Sequence, residues 1–272
     1  MQTLGIVNVT RDSFSDGGRF LTPERALAHA RELVANGADI IDLGAESTHP
    51  DAEDVSAGEE IARLTPLVGP LKAAGVRVSV DTYKPAVMRA MLGLGVDFIN
   101  DVTGLRDPQA ATVLRDAAAR IIVMHSTASG ARAERGDVGP ASIVDRIVTF
   151  FERRVAELAA AGLARDRLIL DPGMGFFLSR DPQVSLTVLR NLDRIRALGL
   201  PVCVSTSRKS FIGALLGSAS APRPVDERGA GTLATELWAA SQGVDYIRTH
   251  DVRALRDALT LWNSVAERRL SR

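Results

Sequence analysis

Polar residues recur in this chain at one kind of place: the point where a short apolar run stops. Leu4-Gly-Ile-Val ends at Asn8, Ile40-Ile41 at Asp42 with Glu46 beyond it, and Val76 to Val80 at Asp81. Phe98-Ile99 ends at Asn100-Asp101, Ile121 to Met124 at His125, and Leu168 to Leu170 at Asp171. Val202-Cys-Val204 runs into Ser205 to Lys209, and Tyr246-Ile247 into Arg248-Thr-His250. Asp81, Asn100 and Asp171 offer acceptors and an amide, which suits a flat heterocycle carrying N–H donors and ring acceptors. Lys209, Arg248 and His250 place cationic donors after the seventh and eighth runs, where an anion such as phosphate could sit. Asn8 could complete that anion site or touch a metal.

Each residue also has a plainer role open to it. Asn100 or Asp101 could cap a turn, His125 could be a satisfied core histidine, and Arg248 could be a surface charge. A structural protein has no need to end every strand this way, because gathering polar groups costs stability unless they bind something.

The elements between these residues explain how they could meet. Segments of helical period follow each run: 23–36, about 57–74, 85–94, 108–118, 140–161, 182–197, then 209–216 with 227–242, and 251–268. Pro85 is a good first helical residue, and Gly37, Gly75 and Gly162 are plausible stops. Strands alternating with helices imply parallel pairing, and eight such units close into a (β/α)₈ TIM barrel whose C-terminal strand ends share one face. An open doubly wound sheet would need a G-x-G-x-x-G turn after an early strand, and none follows the first. With no composition break or linker, residues 1–272 read as one barrel domain.

Bulk properties narrow the partners. Of 272 residues, 46% are hydrophobic and 24% charged, and 33 Lys and Arg balance 33 Asp and Glu. Nothing in that balance attracts nucleic acid or an anionic membrane. No apolar run approaches the roughly 18 residues that span a bilayer. The first strand-like run begins at Thr3, which leaves no room for a signal segment, so a cytoplasmic protein is expected. The single cysteine, Cys203, lies within an apolar run and reads as a small core residue.

Several stretches together resemble dihydropteroate synthase. They are Asn8-Val-Thr-x-Asp-Ser-Phe-Ser-Asp-Gly-Gly18, Gly44-Ala-Glu-Ser-Thr48, Asp81-Thr82, Asn100-Asp101, Asp171-Pro-Gly173, Ser207-Arg-Lys-Ser-Phe-Ile-Gly213 and Arg248-x-His250. The resemblance spans the chain in order. It implies transfer of the pterin of a dihydropterin diphosphate to the amine of p-aminobenzoate, with loss of diphosphate. It further implies that Asp81, Asn100, Met124, Asp171 and Lys209 hold the pterin, and that Asn8, Arg248 and His250 hold the diphosphate. Mg²⁺ would lie near Asn8. Thr48, His49, Pro50, Phe176, Phe177, Lys209 and Ser210 would border the p-aminobenzoate pocket. Asp81, Lys209, Asn8, Arg248 and His250 would carry the catalysis, in a homodimer whose other partners are small molecules.

Departures from the family pattern are informative too. Arg11 stands where a proline is usual, and Ser47-Thr-His-Pro-Asp51 replaces Ser-Thr-Arg-Pro-Gly. His49 cannot fork onto an anion as arginine can. After Asp171-Pro-Gly the chain has Met174-Gly-Phe-Phe-Leu-Ser179, losing a glycine and a lysine and gaining bulk. These features are similar to the sulfonamide-insensitive synthases of resistance plasmids. A methyltetrahydrofolate–corrinoid methyltransferase has a similar barrel but needs no diphosphate site, and a non-catalytic pterin-binding paralogue is the remaining alternative.

Overall fold

A computed structural model of the chain describes residues 1–10, 22–47, 54–128, 138–218 and 220–270. Arg11 and residues 12–21, and Thr48, His49, Pro50 and Asp51, lie outside the described residues.

Eight parallel strands form one sheet in the order β6-β5-β4-β3-β2-β1-β8-β7. They are β1 Gln2–Asn8, β2 Ile40–Gly44, β3 Val78–Asp81, β4 Phe98–Asp101, β5 Arg120–Met124, β6 Leu168–Asp171, β7 Cys203–Val204 and β8 Tyr246–Thr249. A parallel bridge between Leu170 and Val202, with Leu170 N donating to Pro201 O at 2.8 Å, joins β6 to β7 and closes the barrel. The helices are α1 Pro23–Ala35, α2 Ala57–Ala73, α3 Pro85–Gly93, α4 Pro108–Arg115, α5 Pro140–Ala160, α6 Pro182–Arg190, α7 Leu192–Arg196, α8 Ser210–Leu216, α9 Gly229–Ser241 and α10 Val252–Leu270.

Both faces of the strands are buried, but they do different work. Val7, Ile41, Leu43, Val78, Val80, Ile99, Ile121, Val123, Leu168, Leu170 and Ile247 point outward into the large core shared with the helices. Leu4, Ile40, Phe98, Ile122, Ile169, Cys203 and Tyr246 form a separate interior cluster. Cys203 is thus the expected core residue. Because side chains repeat every two residues along a strand, the next interior layer is fixed by adding two to each position. That gives Ile6, Asp42, Asn100, Met124, Asp171, Ser205 and Arg248, with β3 contributing Ser79 and Asp81 through its register with Asp42 and Gly44. The polar strand ends therefore converge because they share a face with the apolar plug beneath them.

Some helices end earlier than their periodicity predicts. Arg167 donates to the carbonyls of Leu114, Arg115 and Ala119, so α4 stops at Arg115 instead of running on to 118. The segment 182–197 is broken at Asn191, whose side-chain amide donates back to Thr187 O at 2.8 Å and ends α6. Residues Val225–Arg228 form a 3₁₀ turn ahead of α9 instead of its first turn. Strand β3 begins at Val78, two residues later than expected. None of the described helices is long and apolar enough to cross a membrane.

Candidate active site

Arg248 occupies the middle of the polar layer. Its Nε donates to Asp42 Oδ2 at 2.6 Å and its Nη2 to Asp81 Oδ2 at 3.0 Å. Asp81 nonetheless has its pKa raised to about 7: burial outweighs Arg248, and Asp42 and Glu60 add to the rise. Asp171 is raised to about 6, also by burial, against the Gly173 N–H that donates to its Oδ1 at 2.8 Å. Gly173 has φ +73, and a Cβ there would stand 2.3 Å from His125 O, so this turn admits only glycine.

Several buried polar atoms in this layer have no partner among the described residues. Asn100 Oδ1, Asp42 Oδ1, Ser79 Oγ and Ser205 Oγ are all buried without a hydrogen bond. An unpaired buried polar atom costs its full desolvation, so four within one interior layer mark a place suited to a polar ligand. Asp101, by contrast, serves its own loop: its Oδ1 accepts from Thr103 N and Thr103 Oγ1, each at 2.6 Å. It is the turn cap, while Asn100 faces inward.

Lys209 sits at the N-cap of α8. Its Nζ lies 4.8 Å from the centre of the Phe177 ring. Burial lowers its pKa to about 8, helped by Arg248 and opposed by Asp171 and Asp81. Phe177 is itself buried and packs with Val102 and Met124, while Phe176 is half-buried against the same cluster. Met124 thus lies where a ligand on Asp171 and Asn100 would meet an apolar wall. Ser210, the first residue of α8, has its Oγ 2.8 Å from the position a Cβ on Gly175 would take. The 174–179 segment is therefore seated directly against Ser210.

The two histidines separate. His125 is buried, edge-on to Phe150 with ring centres 5.1 Å apart, and its Nδ1 donates to Pro172 O at 3.3 Å. Burial lowers its pKa to about 4, so it is a neutral core histidine. His250 lies on the site, its Nδ1 2.9 Å from Ser207 Oγ, which also accepts from His250 N at 3.2 Å. Burial and the charges of Arg208, Arg248 and Lys209 hold its pKa well below the usual value. The sequence suggested a cationic donor here; the structure makes it a neutral ring. In the tautomer where the Ser207 hydroxyl donates to Nδ1, the ring's Nε2–H is left for a ligand. Ser207 was visible only as part of a motif, and Asp42 only as a strand end; neither pairing has a local signal.

Asn8 is half-buried at the end of β1, its Oδ1 3.4 Å from where a Gly44 Cβ would stand. Among the described residues no three His, Cys, Asp or Glu side chains gather into a metal cage. Just beyond β2, Lys84 Nζ donates to Glu60 Oε2 at 2.9 Å and pairs with Glu46, which also accepts from Tyr83 OH at 3.3 Å. These contacts hold Glu46 in place.

Comparison with known proteins agrees with this geometry. Residues 4–250 match the family described as pterin binding enzyme. Dihydropteroate synthase type-2 of Escherichia coli is 48% identical over 264 residues, covering 97% of this chain and 95% of that protein. The Xanthomonas albilineans dihydropteroate synthase with 4-aminobenzoic acid superposes with a TM-score of 0.87 at 39% identity, covering 97% and 93% of the two chains. The Burkholderia cenocepacia enzyme complexed with 7,8-dihydropteroate gives 0.87 at 36% identity, over 100% and 93%. Motifs, barrel and polar layer thus point the same way, and the chain belongs to the dihydropteroate synthase family of transferases.

Proposed function

We propose that this chain condenses 6-hydroxymethyl-7,8-dihydropterin diphosphate with p-aminobenzoate, giving 7,8-dihydropteroate and diphosphate. The observation that carries this reading is the interior polar layer, where unpaired buried acceptors at Asn100 and Asp42 adjoin the cations Arg248 and Lys209. The relatives named above hold 4-aminobenzoic acid and 7,8-dihydropteroate.

In this mechanism Asp171, Asn100 and Asp81 accept from the pterin's amino and ring N–H groups. Those donors favour the ionised carboxylates that burial disfavours in the free protein. Met124 covers one face of the ring, and Lys209 donates to its acceptor edge. The pterin methylene C–O bond breaks, and its electron pair leaves on the diphosphate. Arg248 and the Nε2–H of His250 stabilise that charge, as preorganised donors do. The amine lone pair of p-aminobenzoate then forms the C–N bond, and its proton passes to diphosphate or solvent. Ser210 borders the aminobenzoate, and the family resemblance implies the same of Thr48, His49 and Pro50.

Mg²⁺ commonly relies on few protein ligands together with phosphates and water. Asn8, an amide oxygen at a strand end, fits such a site, where the ion would neutralise diphosphate charge. A homodimer is also proposed, on the exposed apolar residues Trp238, Leu261, Trp262 and Val265 of α9 and α10.

The 174–179 segment underlies a second element of the proposal, exclusion of sulfonamides. A drug that mimics p-aminobenzoate carries extra bulk beyond the sulfonyl group. Phe176 and Phe177 add volume beside Ser210, where that bulk would clash while substrate still fits.

Complementation of a synthase-deficient bacterium tests the reaction. The wild-type chain should restore growth without folate products, and the purified protein should release diphosphate only when p-aminobenzoate is added. Absence of both would overturn the reading.

A further inference from the structure

Lys209 is aimed by a backbone conformation that its own sequence disfavours. Lys209 N donates to Thr206 O at 3.1 Å, closing a four-residue turn whose third position is Arg208. Arg208 has φ +58. A turn of this kind usually places glycine there, because an L side chain in the left-handed region is strained. Such strain persists only where the surroundings over-determine it.

Here the surroundings come from the start of α9. Arg208 N donates to Thr232 Oγ1 at 3.0 Å, and Arg208 O accepts from Arg228 Nη1 at 2.9 Å. Both backbone groups of the strained residue are thus held from one side. Arg228 is braced in turn, its Nε donating to Arg223 O at 2.9 Å. Its guanidinium lies so close over α8 that a Cβ on Gly213 would stand 2.6 Å from Nε and from Nη2. That contact explains the glycine closing the Ser207 to Gly213 motif. A second tie, Thr235 Oγ1 to Thr206 Oγ1 at 2.9 Å, fixes the first residue of the same turn.

We infer that Arg228 and Thr232 are positioning residues for this synthase: they clamp Arg208 in its left-handed conformation and thereby aim Lys209 and Ser207 into the site. The inference rests on the reaction proposed above. Relaxing Arg208 to a right-handed conformation would rotate the peptides on both sides of it. Lys209 would leave the Phe177 ring, and Ser207 would release His250. Neither Arg228 nor Thr232 directs its hydrogen bond at Asp81 or Asp171; each acts through the backbone of Arg208.

A double-mutant design tests the clamp. In the wild-type background Arg228→Met and Thr232→Val should each lower kcat by about ten- to a hundredfold, since a misplacement of about 1 Å can cost about a hundredfold. Thr232→Ser, which keeps the hydroxyl, should keep wild-type turnover. In the Arg208→Gly background, where the left-handed conformation costs nothing, the same two changes should alter kcat less than about twofold. Arg208→Asn, the L residue that tolerates this region best, should give an intermediate result. Calorimetric binding of a pterin, measured in parallel, should follow the same pattern and does not depend on turnover. Equal losses in the Arg208 and Arg208→Gly backgrounds, or no loss in either, would overturn the inference. If wild-type protein shows no synthase turnover the proposed reaction fails, and the pterin affinities still decide whether the clamp exists.

Discussion

Arg248 on β8 reaches past β1 to Asp42 on β2, and the Nε to Oδ2 distance is 2.6 Å. Its other arm meets Asp81 at 3.0 Å. The guanidinium that is expected to meet the diphosphate is therefore also paired with two interior carboxylates. Diphosphate must share it with them.

Removing that cation should be costly. Arg248→Ala leaves Asp42 and Asp81 without their ion pair, and breaking a buried pair by deleting one partner costs about 3–5 kcal/mol. Urea unfolding near neutral pH should show a loss of this size. Arg248→Lys keeps the charge but cannot fork onto both carboxylates, so it should recover only part of the stability and little of the turnover. Wild-type stability in Arg248→Ala would refute the structural role.

Asp81 predicts a pH dependence of stability for the free protein. Its folded pKa, about 7, stands above its unfolded value of 3.8, so the folded state binds the proton more tightly. The unfolded chain holds fewer protons between these values, and this residue's contribution to stability falls as pH rises from about 4 to about 7. Asp81→Asn removes that term. The melting temperature of Asp81→Asn relative to wild type should therefore climb across this window and level off above pH 7. A flat difference from pH 4 to pH 8 would contradict the raised pKa.

Lys209 should show function bought with stability. Its pKa falls from 10.5 to about 8, so at neutral pH the folded protein carries an ammonium group that burial penalises. The unfolded chain binds more protons between about 8 and 10.5, and the penalty fades as pH rises through that window. Lys209→Met should raise the melting temperature at pH 7, with a smaller gain at pH 10. It should lower kcat by roughly 10²–10³, as loss of an electrostatic donor does. A stable but fully active variant would remove Lys209 from the mechanism.

Phe176 and Phe177 make separable predictions for sulfonamides. Phe177 is buried between Met124 and the Lys209 Nζ, whereas Phe176 is half-buried at the edge of that cluster. Phe177→Gly should raise sulfamethoxazole sensitivity but also weaken pterin binding, because it opens a cavity beneath Lys209. Phe176→Gly should raise sensitivity with the p-aminobenzoate KM nearly unchanged. The comparison is the sulfamethoxazole inhibition constant against that KM. Inhibition of the wild-type enzyme at ordinary synthase levels would end the proposal of insensitivity.

What could be read from the sequence followed from periodicity. Strand ends at Asn8, Asp42, Asp81, Asn100, Asp171 and Arg248 were visible because apolar runs stop there, and closing a barrel brings them together. Long-range contacts were not visible. Nothing near Arg115 announces that Arg167 will take the last carbonyls of α4. Nothing near Arg208 announces that Thr232 and Arg228 will hold it. The neutral state of His250 was equally hidden, because it depends on burial and on Arg208 and Lys209 from another part of the chain, beside its near neighbour Arg248.

The two-residue offset between the apolar plug and the polar layer has a consequence for how this enzyme can change. Ile40 and Asp42, Phe98 and Asn100, and Ile169 and Asp171 lie on the same interior face. Deleting one residue inside such a strand would swing its site group toward the helices and drive an outward-facing Leu43 or Leu170 into the cavity. Length variation is thus barred from the strands and confined to the connecting loops. Bulk can be added after β6, where Met174 to Ser179 lie, while the groups on the strands beneath keep their places.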